Sequence, residues 1–351
     1  RPDDPEQPAK SVHSMIARGW RSKLPRLLIA GMAFVAAVAI VSEIESKRDV
    51  GGAPVNDEPV PIIESRTWVV GQDPMDVIFD GEKLWVAETG FGIVTSHGLD
   101  GQHLDTADVG GQPAVLAFGD GFVWALDADD GSVSQLDDDA KILRKFQVGL
   151  EPAGMVFLGG HLWVTDPTRG SVSQISPDGG LERLLEIGVS PGAITKTPEQ
   201  VLVVDGDTLT VTGVDPSGEI VGSFEYPDQI DIGDFEHVPG VPTAFLSTPD
   251  ALWIAFGDIG QVMRLTLAGT YSGLTRIPTG RLSLAWSGSE LWVASADAGS
   301  ITRISSIGTI IATHNIGGEP TAVTHDGENG WVVDDDKNAL IKLTPVESIP
   351  K

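Results

Sequence analysis

Residues 152–175 read PAGMVFLGGHLWVTDPTRGSVSQI, and the pattern in this stretch recurs along the chain at a fixed spacing. Pro152 is followed after eleven residues by Trp163, and after seven more by Gly170. The seven occupants of the proline slot are Pro74, Pro113, Pro152, Pro191, Pro242, Arg281 and Pro320. Each step is 39 residues except the step of 51 residues before Pro242, which contains a 12-residue insertion. Repeats of about 40 residues with short strands and Gly/Asp turns predict an all-β propeller, in which four-stranded blades surround a central channel.

Seven repeats predict seven blades. The tryptophan slot, which is expected to fill the gap between neighbouring blades, holds Trp85, Trp124, Trp163, Leu202, Trp253, Trp292 and Trp331. The glycine slot holds Gly92, Gly131, Gly170, Leu209, Gly260, Gly299 and Asn338. The last repeat has only three strands, whereas residues 66–70 (RTWVV) before the first repeat match a fourth strand. We therefore expect residues 66–70 to pair with residues 340–343, which closes the ring and leaves no open sheet edge.

The N-terminal region predicts a membrane anchor. Residues 24–44 are long and apolar enough to span a bilayer as a single transmembrane helix, and basic residues precede them. The positive-inside rule then places the N-terminus in the cytoplasm and the propeller outside a bacterial cell membrane. A cleavable signal peptide is the alternative, because residues 37–39 (AVA) resemble a cleavage site. The expected segments are a basic cytoplasmic tail (1–23), a transmembrane signal anchor (24–44), a Pro/Gly-containing stalk (45–62), the propeller (63–345) and a C-terminal tail (346–351).

The composition limits the classes of partner. The chain contains 50 acidic and 23 basic residues, which gives a formal net charge of −27. A surface this acidic repels nucleic-acid phosphates, so we do not expect the protein to bind nucleic acids. There is no cysteine, and therefore neither a disulfide nor thiol chemistry. The partners that this charge favours are a small cationic ligand or another protein of the cell envelope.

Acidic residues recur three positions after the tryptophan slot, where Glu88, Asp127, Asp166, Asp205, Phe256, Ser295 and Asp334 stand. The following loops add further acids, among them Asp129, Asp207, Asp258, Asp297 and Asp335. In a propeller these loops share one face around the channel mouth, so the carboxylates would attract a cation. Ca²⁺ or Mg²⁺ is the cofactor that such a mouth would suit, with Asp127, Asp129 and Asp334 as candidate ligands. Alternatively, each acid ends its strand and accepts hydrogen bonds from the amides of its own loop.

The strongest indication of a binding site is the interruption of the repeat pattern in repeat 4. Repeat 4 has Leu202 and Leu209 in the tryptophan and glycine slots, and the 12-residue insertion after its fourth strand produces a long loop at residues 227–239 (PDQIDIGDFEHVP). Apolar residues in an exposed acidic loop indicate a lid or a surface for a partner. The alternative is a tolerated insertion that packs back onto its blade. The predicted ligand- or partner-binding residues are Asp166, Asp205, Asp207, Asp228, Ile232, Asp234, Phe235, Glu236 and Asp258.

The blade motif resembles the streptogramin-lyase (virginiamycin B lyase-like) and YVTN/NHL-like propellers of bacteria. The resemblance rests on residues 84–88 (LWVAE), 162–166 (LWVTD) and 170–175 (GSVSQI) and covers about residues 66–345. It implies a propeller fold and a lyase that uses a histidine and carboxylates with Mg²⁺ near the channel. If this chain were such a lyase, His325, His237 and Asp76 would be the candidate catalytic residues. Membrane-anchored propellers of this kind also form the outer sensor half of some bacterial Ser/Thr receptor kinases.

The sequence therefore predicts a membrane-tethered, extracytoplasmic propeller that binds a ligand or a protein and has no catalysis of its own. The inner strands offer almost no acid–base groups, and no nucleophile or phosphate-binding motif occurs. Two alternatives remain open at this point. One is a Mg²⁺-dependent lyase that acts on a small cyclic or cationic molecule, and the other is the sensor half of a receptor kinase.

Overall fold

The repeats fold into seven antiparallel sheets of four strands in the computed structural model, which describes residues 62–227 and 240–346. Blade 1 contains β2 (Pro74–Phe79), β3 (Leu84–Glu88), β4 (Ile93–His97) and β5 (His103–Asp108). Blade 2 contains β6 (Pro113–Gly119), β7 (Phe122–Asp127), β8 (Ser132–Leu136) and β9 (Ile142–Gln147). Blade 3 contains β10 (Gly154–Leu158), β11 (His161–Asp166), β12 (Ser171–Ile175) and β13 (Leu181–Glu186).

The remaining blades follow the same order from the channel outward. Blade 4 contains β14 (Pro191–Lys196), β15 (Val201–Asp205), β16 (Thr210–Val214) and β17 (Ile220–Glu225). Blade 5 contains β18 (Ala244–Ser247), β19 (Leu252–Phe256), β20 (Gln261–Leu265) and β21 (Tyr271–Arg276). Blade 6 contains β22 (Leu282–Trp286), β23 (Glu290–Ser295), β24 (Ser300–Ser305) and β25 (Ile310–Asn315). Blade 7 contains β26 (Pro320–His325), β27 (Gly330–Asp334), β28 (Ala339–Val346) and, outermost, β1 (Ile62–Val69).

The ring closes through the two ends of the repeat region. β1 pairs antiparallel with β28 from Ile62 opposite Val346 to Val69 opposite Ala339. The predictions of seven four-stranded blades and of closure by the segment before repeat 1 are therefore confirmed. The pairing is longer than predicted, because it begins at residue 62 instead of residue 66.

Each blade is sandwiched between two others, which explains its burial pattern. The second strands, such as β3, β15 and β19, are buried at every residue, whereas outer strands such as β9 and β13 are mostly exposed. All six tryptophans of the repeat slot are at most 1% exposed. Trp124 illustrates their role, since its ring stacks on Phe157 of the next blade with a centroid distance of 5.8 Å. The tryptophan slot is thus the inter-blade core that the repeat predicts.

The glycine slot is a left-handed turn in all seven repeats. Gly131 has φ 71°, and a Cβ at this position would overlap the carbonyl oxygen of Gly149 in the connection to the next blade. Leu209 and Asn338 adopt the same conformation, with φ of 57° and 50°. Asparagine tolerates this region, whereas a leucine there is uncommon and costs conformational energy. Blade 4 therefore departs from the repeat in its backbone strain as well as in its core.

The predicted transmembrane span at residues 24–44 lies outside the described residues and remains a prediction. In the part of the chain that the structure describes, no helix has the length and apolarity needed to cross a membrane.

Candidate functional site

The mouth face consists of the loops that join second to third strands and the connections from one blade to the next. Asp205 represents the acids that end the second strands. Its Oδ1 accepts the amides of Asp207 (2.9 Å) and Thr208 (3.0 Å) in its own loop. Its Oδ2 accepts the amides of Val189 (2.6 Å) and Ser190 (2.9 Å) in the preceding connection. The five acids of this slot, each at most 4% exposed, are Glu88, Asp127, Asp166, Asp205 and Asp334.

The candidate metal ligands Asp127 and Asp334 are held in the same way. Asp127 accepts three backbone N–H groups, one of them from Gln112 and two from its own loop, which includes the exposed Asp129. Asp334 accepts two backbone N–H groups and pairs with Lys337 Nζ at 3.0 Å. These hydrogen bonds agree with the alternative interpretation, in which each acid ends its strand and accepts hydrogen bonds from loop amides. Within residues 62–227 and 240–346, no three His, Cys, Asp or Glu side chains are close enough to share a metal ion.

The other predicted binding acids lie in three different blades. Asp166 of blade 3 is 3% exposed and accepts bonds from Thr168 Oγ1 (2.7 Å) and the Arg169 amide (3.2 Å). Asp207 of blade 4 and Asp258 of blade 5 are exposed. The structure therefore separates the predicted set into buried acids that hold loops and exposed acids that face solvent.

An open pocket of about 400 Å³ lies on the mouth face between blades 5 and 6. Asp258 and Asp297, both exposed, come from the loops after the second strands of these two blades. The walls also include Thr243, Thr279 and Arg281. This pocket brings the predicted Asp258 together with residues from four separate segments of the chain, so a few charged and hydroxyl groups converge on one open depression.

Arg281 supplies a positive charge at the same rim. It occupies the slot that holds proline in the other repeats, and its guanidinium extends to blade 1, 3.7 Å from Sδ of Met75. Burial and the nearby charge of Asp73 raise the pKa of the Asp335 carboxyl, and the charge of Arg281 opposes this rise. The rim of this pocket therefore combines the exposed carboxylates of Asp258 and Asp297 with the guanidinium of Arg281, a set that complements a ligand with an ammonium group beside a hydrogen-bond acceptor.

The insertion after blade 4 begins and ends on the mouth face. A Cβ on Gly240, which follows the insertion, would overlap the carboxylate of Asp258. The chain therefore leaves the insertion directly against the pocket. The predicted insertion residues lie outside the described residues and remain predictions: Asp228, Ile232, Asp234, Phe235, Glu236 and His237.

The two described lyase candidates lie at opposite ends of inner strands. Asp76 is the third residue of β2, near the mouth, and its carboxylate accepts the amides of Val77 and Leu116, both at 2.8 Å. Burial raises the pKa of Asp76 to about 6. His325 ends β26 on the opposite face, where its ring lies 5.4 Å from that of Trp292 and Nδ1 accepts the Gly327 amide. The structure therefore does not bring them together as an acid–base pair.

Because the pKa of the buried Asp76 carboxyl is raised, we expect the stability of the fold to depend on pH. Its pKa in the folded chain, about 6, is above the ordinary value of 3.8 for an aspartate. Folding therefore favours the protonated form, and stability falls as pH rises from about 4 to about 6, with the full penalty above pH 6. Blade 6 has Ser283 at this position, and its hydroxyl accepts the Val323 amide at 3.2 Å. We therefore expect the free energy of unfolding of Asp76→Ser, taken relative to that of the wild type, to increase by about 1–3 kcal/mol as the pH rises from 4 to 8.

Urea unfolding of the two proteins at pH 4, 5, 6, 7 and 8 measures this gain. The difference between them isolates this carboxyl from other groups that titrate in the same range. Parallel pH profiles would contradict the expectation.

The chain resembles solved propellers in its fold. A catalytically inactive histidine-to-alanine variant of virginiamycin B lyase from Staphylococcus aureus, solved with quinupristin, has a TM-score of 0.69 at 20% identity, covering 81% of this chain and 100% of that one. A streptogramin B lyase structure has a TM-score of 0.69 at 17% identity, covering 81% and 98%. BamB from Moraxella catarrhalis has a TM-score of 0.61 at 13% identity, covering 83% and 100%. No protein-family model matches the chain, and no curated protein matches it. The similarity establishes the propeller architecture.

The sequence did not assign Arg281 and Asp297 to a candidate binding site. Asp297 was one of several mouth acids, and nothing in its own repeat distinguishes it. Arg281 did carry a signal, because it is the one residue that replaces proline in the seven proline slots. A charged residue in a slot that otherwise fixes a turn indicates a local role beyond blade structure.

Proposed function

We propose that this chain is a membrane-tethered, extracytoplasmic binding propeller with no catalysis of its own. Its mouth binds a small cationic ligand or a basic segment of another envelope protein. The observation that carries the proposal is the pocket between blades 5 and 6, where exposed Asp258 and Asp297 stand beside Arg281. The residues after the insertion contact the same pocket, which makes the insertion a second contact region for the partner.

The distribution of the mouth acids supports binding over chemistry. The strand-end carboxylates are engaged by backbone amides, as the four amides bound to Asp205 illustrate, and so they shape the loops. The exposed acids keep their charge accessible to a ligand. Because exposed charges attract at long range and are screened by salt, binding should weaken as ionic strength rises.

Neutralising the pocket acids tests this proposal. We expect the double variant Asp258→Asn, Asp297→Asn to bind its partner at least about tenfold more weakly at low salt, because two attractive charges are lost from one rim. Stability should change by less than about 0.5 kcal/mol, since both residues are exposed. The measurement is affinity capture from envelope extracts with the full chain, followed by titration of the recovered partner, with replacement of residues 228–236 by Gly-Ser as a second variant.

The matched control is Glu82→Gln, Asp120→Asn, which removes the same charge from exposed residues of the opposite face. This control should bind like the wild type. Equal loss in both double variants would mean that only total charge matters. Equal recovery by all variants would place the site elsewhere.

A lyase is the second candidate, because the fold is shared with virginiamycin B lyase at a TM-score of 0.69. The separation of Asp76 and His325 argues against it, since general acid–base catalysis needs both groups within reach of the same substrate. Incubating the full chain with Mg²⁺ and quinupristin and following ring opening by mass spectrometry tests this directly. We expect no turnover. Turnover that His325→Ala abolishes would replace the binding proposal.

A further inference from the structure

The boundary between blades 4 and 5, here called the 4/5 seam, differs from the other seams on the face opposite the mouth. In the other six repeats a tryptophan packs against the next blade, whereas Leu202 occupies this slot in blade 4. A cavity of about 370 Å³ opens at this seam, lined by Thr197, Pro198, Glu199, Gln200, Leu202 and Leu267. The missing ring has therefore left an accessible space.

Blade 5 shows what the cavity lacks. Trp253 donates from Nε1 to Thr248 Oγ1 at 3.4 Å, and Thr248 begins a Thr-Pro-Asp turn five residues earlier. Thr197 begins a Thr-Pro-Glu turn five residues before Leu202 and lines the cavity. The cavity therefore lies at the place in blade 4 that corresponds to the indole of blade 5. Thr197 Oγ1 accepts the amides of Glu199 (3.2 Å) and Gln200 (3.1 Å) in its own turn, so the cavity offers an apolar space and not a free acceptor.

A cation is missing from the same seam. In blade 5, Arg264 lies opposite Trp253 on the next strand, with its guanidinium carbon 5.6 Å from the ring centroid. Its Nε donates to the carbonyl of Ser306 in the turn of the following blade at 2.8 Å. This arrangement locks the ring and links the two blades.

Blade 4 has glycine at both positions that could supply this cation. Gly213 lies opposite Leu202, and Gly222 lies opposite Gly213. A Cβ on Gly222 would meet no atom within 4 Å. The turn residue that corresponds to Ser306 is Leu267, which lines the cavity. The seam therefore lacks an indole and the cation that covers it.

The surroundings favour a macromolecular occupant over a single small ring. Apolar side chains extend the surface beyond the cavity, since Leu267 is 47%, Ile220 52% and Val221 56% exposed. Glu199 is exposed at the rim, and the whole chain carries a net charge of −27. An exposed apolar patch of this kind marks an interaction surface, and its acidic setting favours a basic partner.

We propose that the 4/5 seam binds a tryptophan side chain in a basic segment of a partner protein. The indole fills the cavity against Leu202 and Leu267, and a neighbouring Lys or Arg of the partner covers the ring as Arg264 covers Trp253. The partner thereby completes the seam with the chemistry that the chain itself uses in blade 5. This site lies on the face opposite the mouth pocket and does not depend on the function proposed there.

Fluorine NMR of the full chain with the peptide acetyl-Lys-fluorotryptophan-Arg-amide tests the proposal. Leu202→Trp fills the cavity with the residue of the other repeats and should weaken peptide binding by at least about tenfold. Leu267→Ser removes an apolar wall of the cavity at an exposed residue, and should weaken binding about threefold to tenfold.

The matched control is Ile307→Ser, which removes an exposed apolar side chain from the turn between β24 and β25 of blade 6, whose seam already holds its tryptophan. It should bind the peptide like the wild type. No binding to the wild type, or equal binding to Leu202→Trp, would overturn the proposal. Free indole that binds as tightly as the peptide would overturn the assignment to a partner protein. Circular dichroism verifies that each variant is folded, and Leu267→Ser decides the question if Leu202→Trp is not.

Discussion

Deleting residues 62–69 from the full chain is expected to lower the melting temperature by at least about 10 °C. β1 contributes eight residue pairs to β28, and Trp68 packs on Trp331 with ring centroids 5.8 Å apart. At about 0.5–1.5 kcal/mol for each hydrogen bond and about 2 kcal/mol for the aromatic side chain, the loss is at least about 5 kcal/mol. Calorimetry of the wild type and the deletion variant measures the effect.

Addition of the missing strand as a peptide provides the control. The peptide IIESRTWV, which is the sequence of β1, should bind the open edge of β28 and restore most of the melting temperature. A peptide of the same composition in scrambled order should not, because it cannot place its tryptophan on Trp331. An unchanged melting curve in the deletion variant would contradict the closure mechanism.

Replacing Asp205 by alanine is expected to lower the free energy of unfolding by about 3–5 kcal/mol, because buried amides lose their acceptor. Asp205 is 2% exposed and joins two loops through four backbone N–H groups. Asp205→Asn keeps one acceptor oxygen and should lose about half of that stability. Denaturant unfolding of both variants measures the difference.

This experiment also separates the two interpretations of the strand-end acids. If Asp205→Ala leaves stability within about 0.5 kcal/mol of the wild type but abolishes partner capture, the carboxylate is a ligand group. If stability falls and the residual folded protein still captures the partner, the acid caps loops. We expect the second result.

The candidate site on the mouth face was only partly predictable from the sequence. The acids of the mouth recur in register with the repeat, so their common face could be inferred. Their accessibility could not, because it depends on the connection from the preceding blade. Asp205 is closed off by Val189 and Ser190, 16 and 15 residues earlier in the chain. Asp258 is not the strand-end residue of its own repeat, because Phe256 occupies that slot.

The break in repeat 4 was also visible, but the sequence indicates only one of its two consequences. The sequence draws attention to the insertion on the mouth side. The strand register adds a second consequence on the opposite face, where Gly213 and Gly222 align with Leu202. Leu267 of the next blade then lines the resulting cavity. These residues span 65 positions between Leu202 and Leu267, and only strand pairing and blade packing bring them together.

The sequence by itself determined the architecture of this protein, because a propeller is built from local units. Each blade is specified within its own 39 residues, so the spacing of Trp163 and its counterparts fixes the blade count, and the incomplete last repeat fixes the closure. Only the tertiary structure decided which polar groups remain accessible. The accessibility of a polar group depends on the loop that connects the preceding blade and on small side chains that leave a gap in a neighbouring blade. The spacing of the repeat contains no information about either.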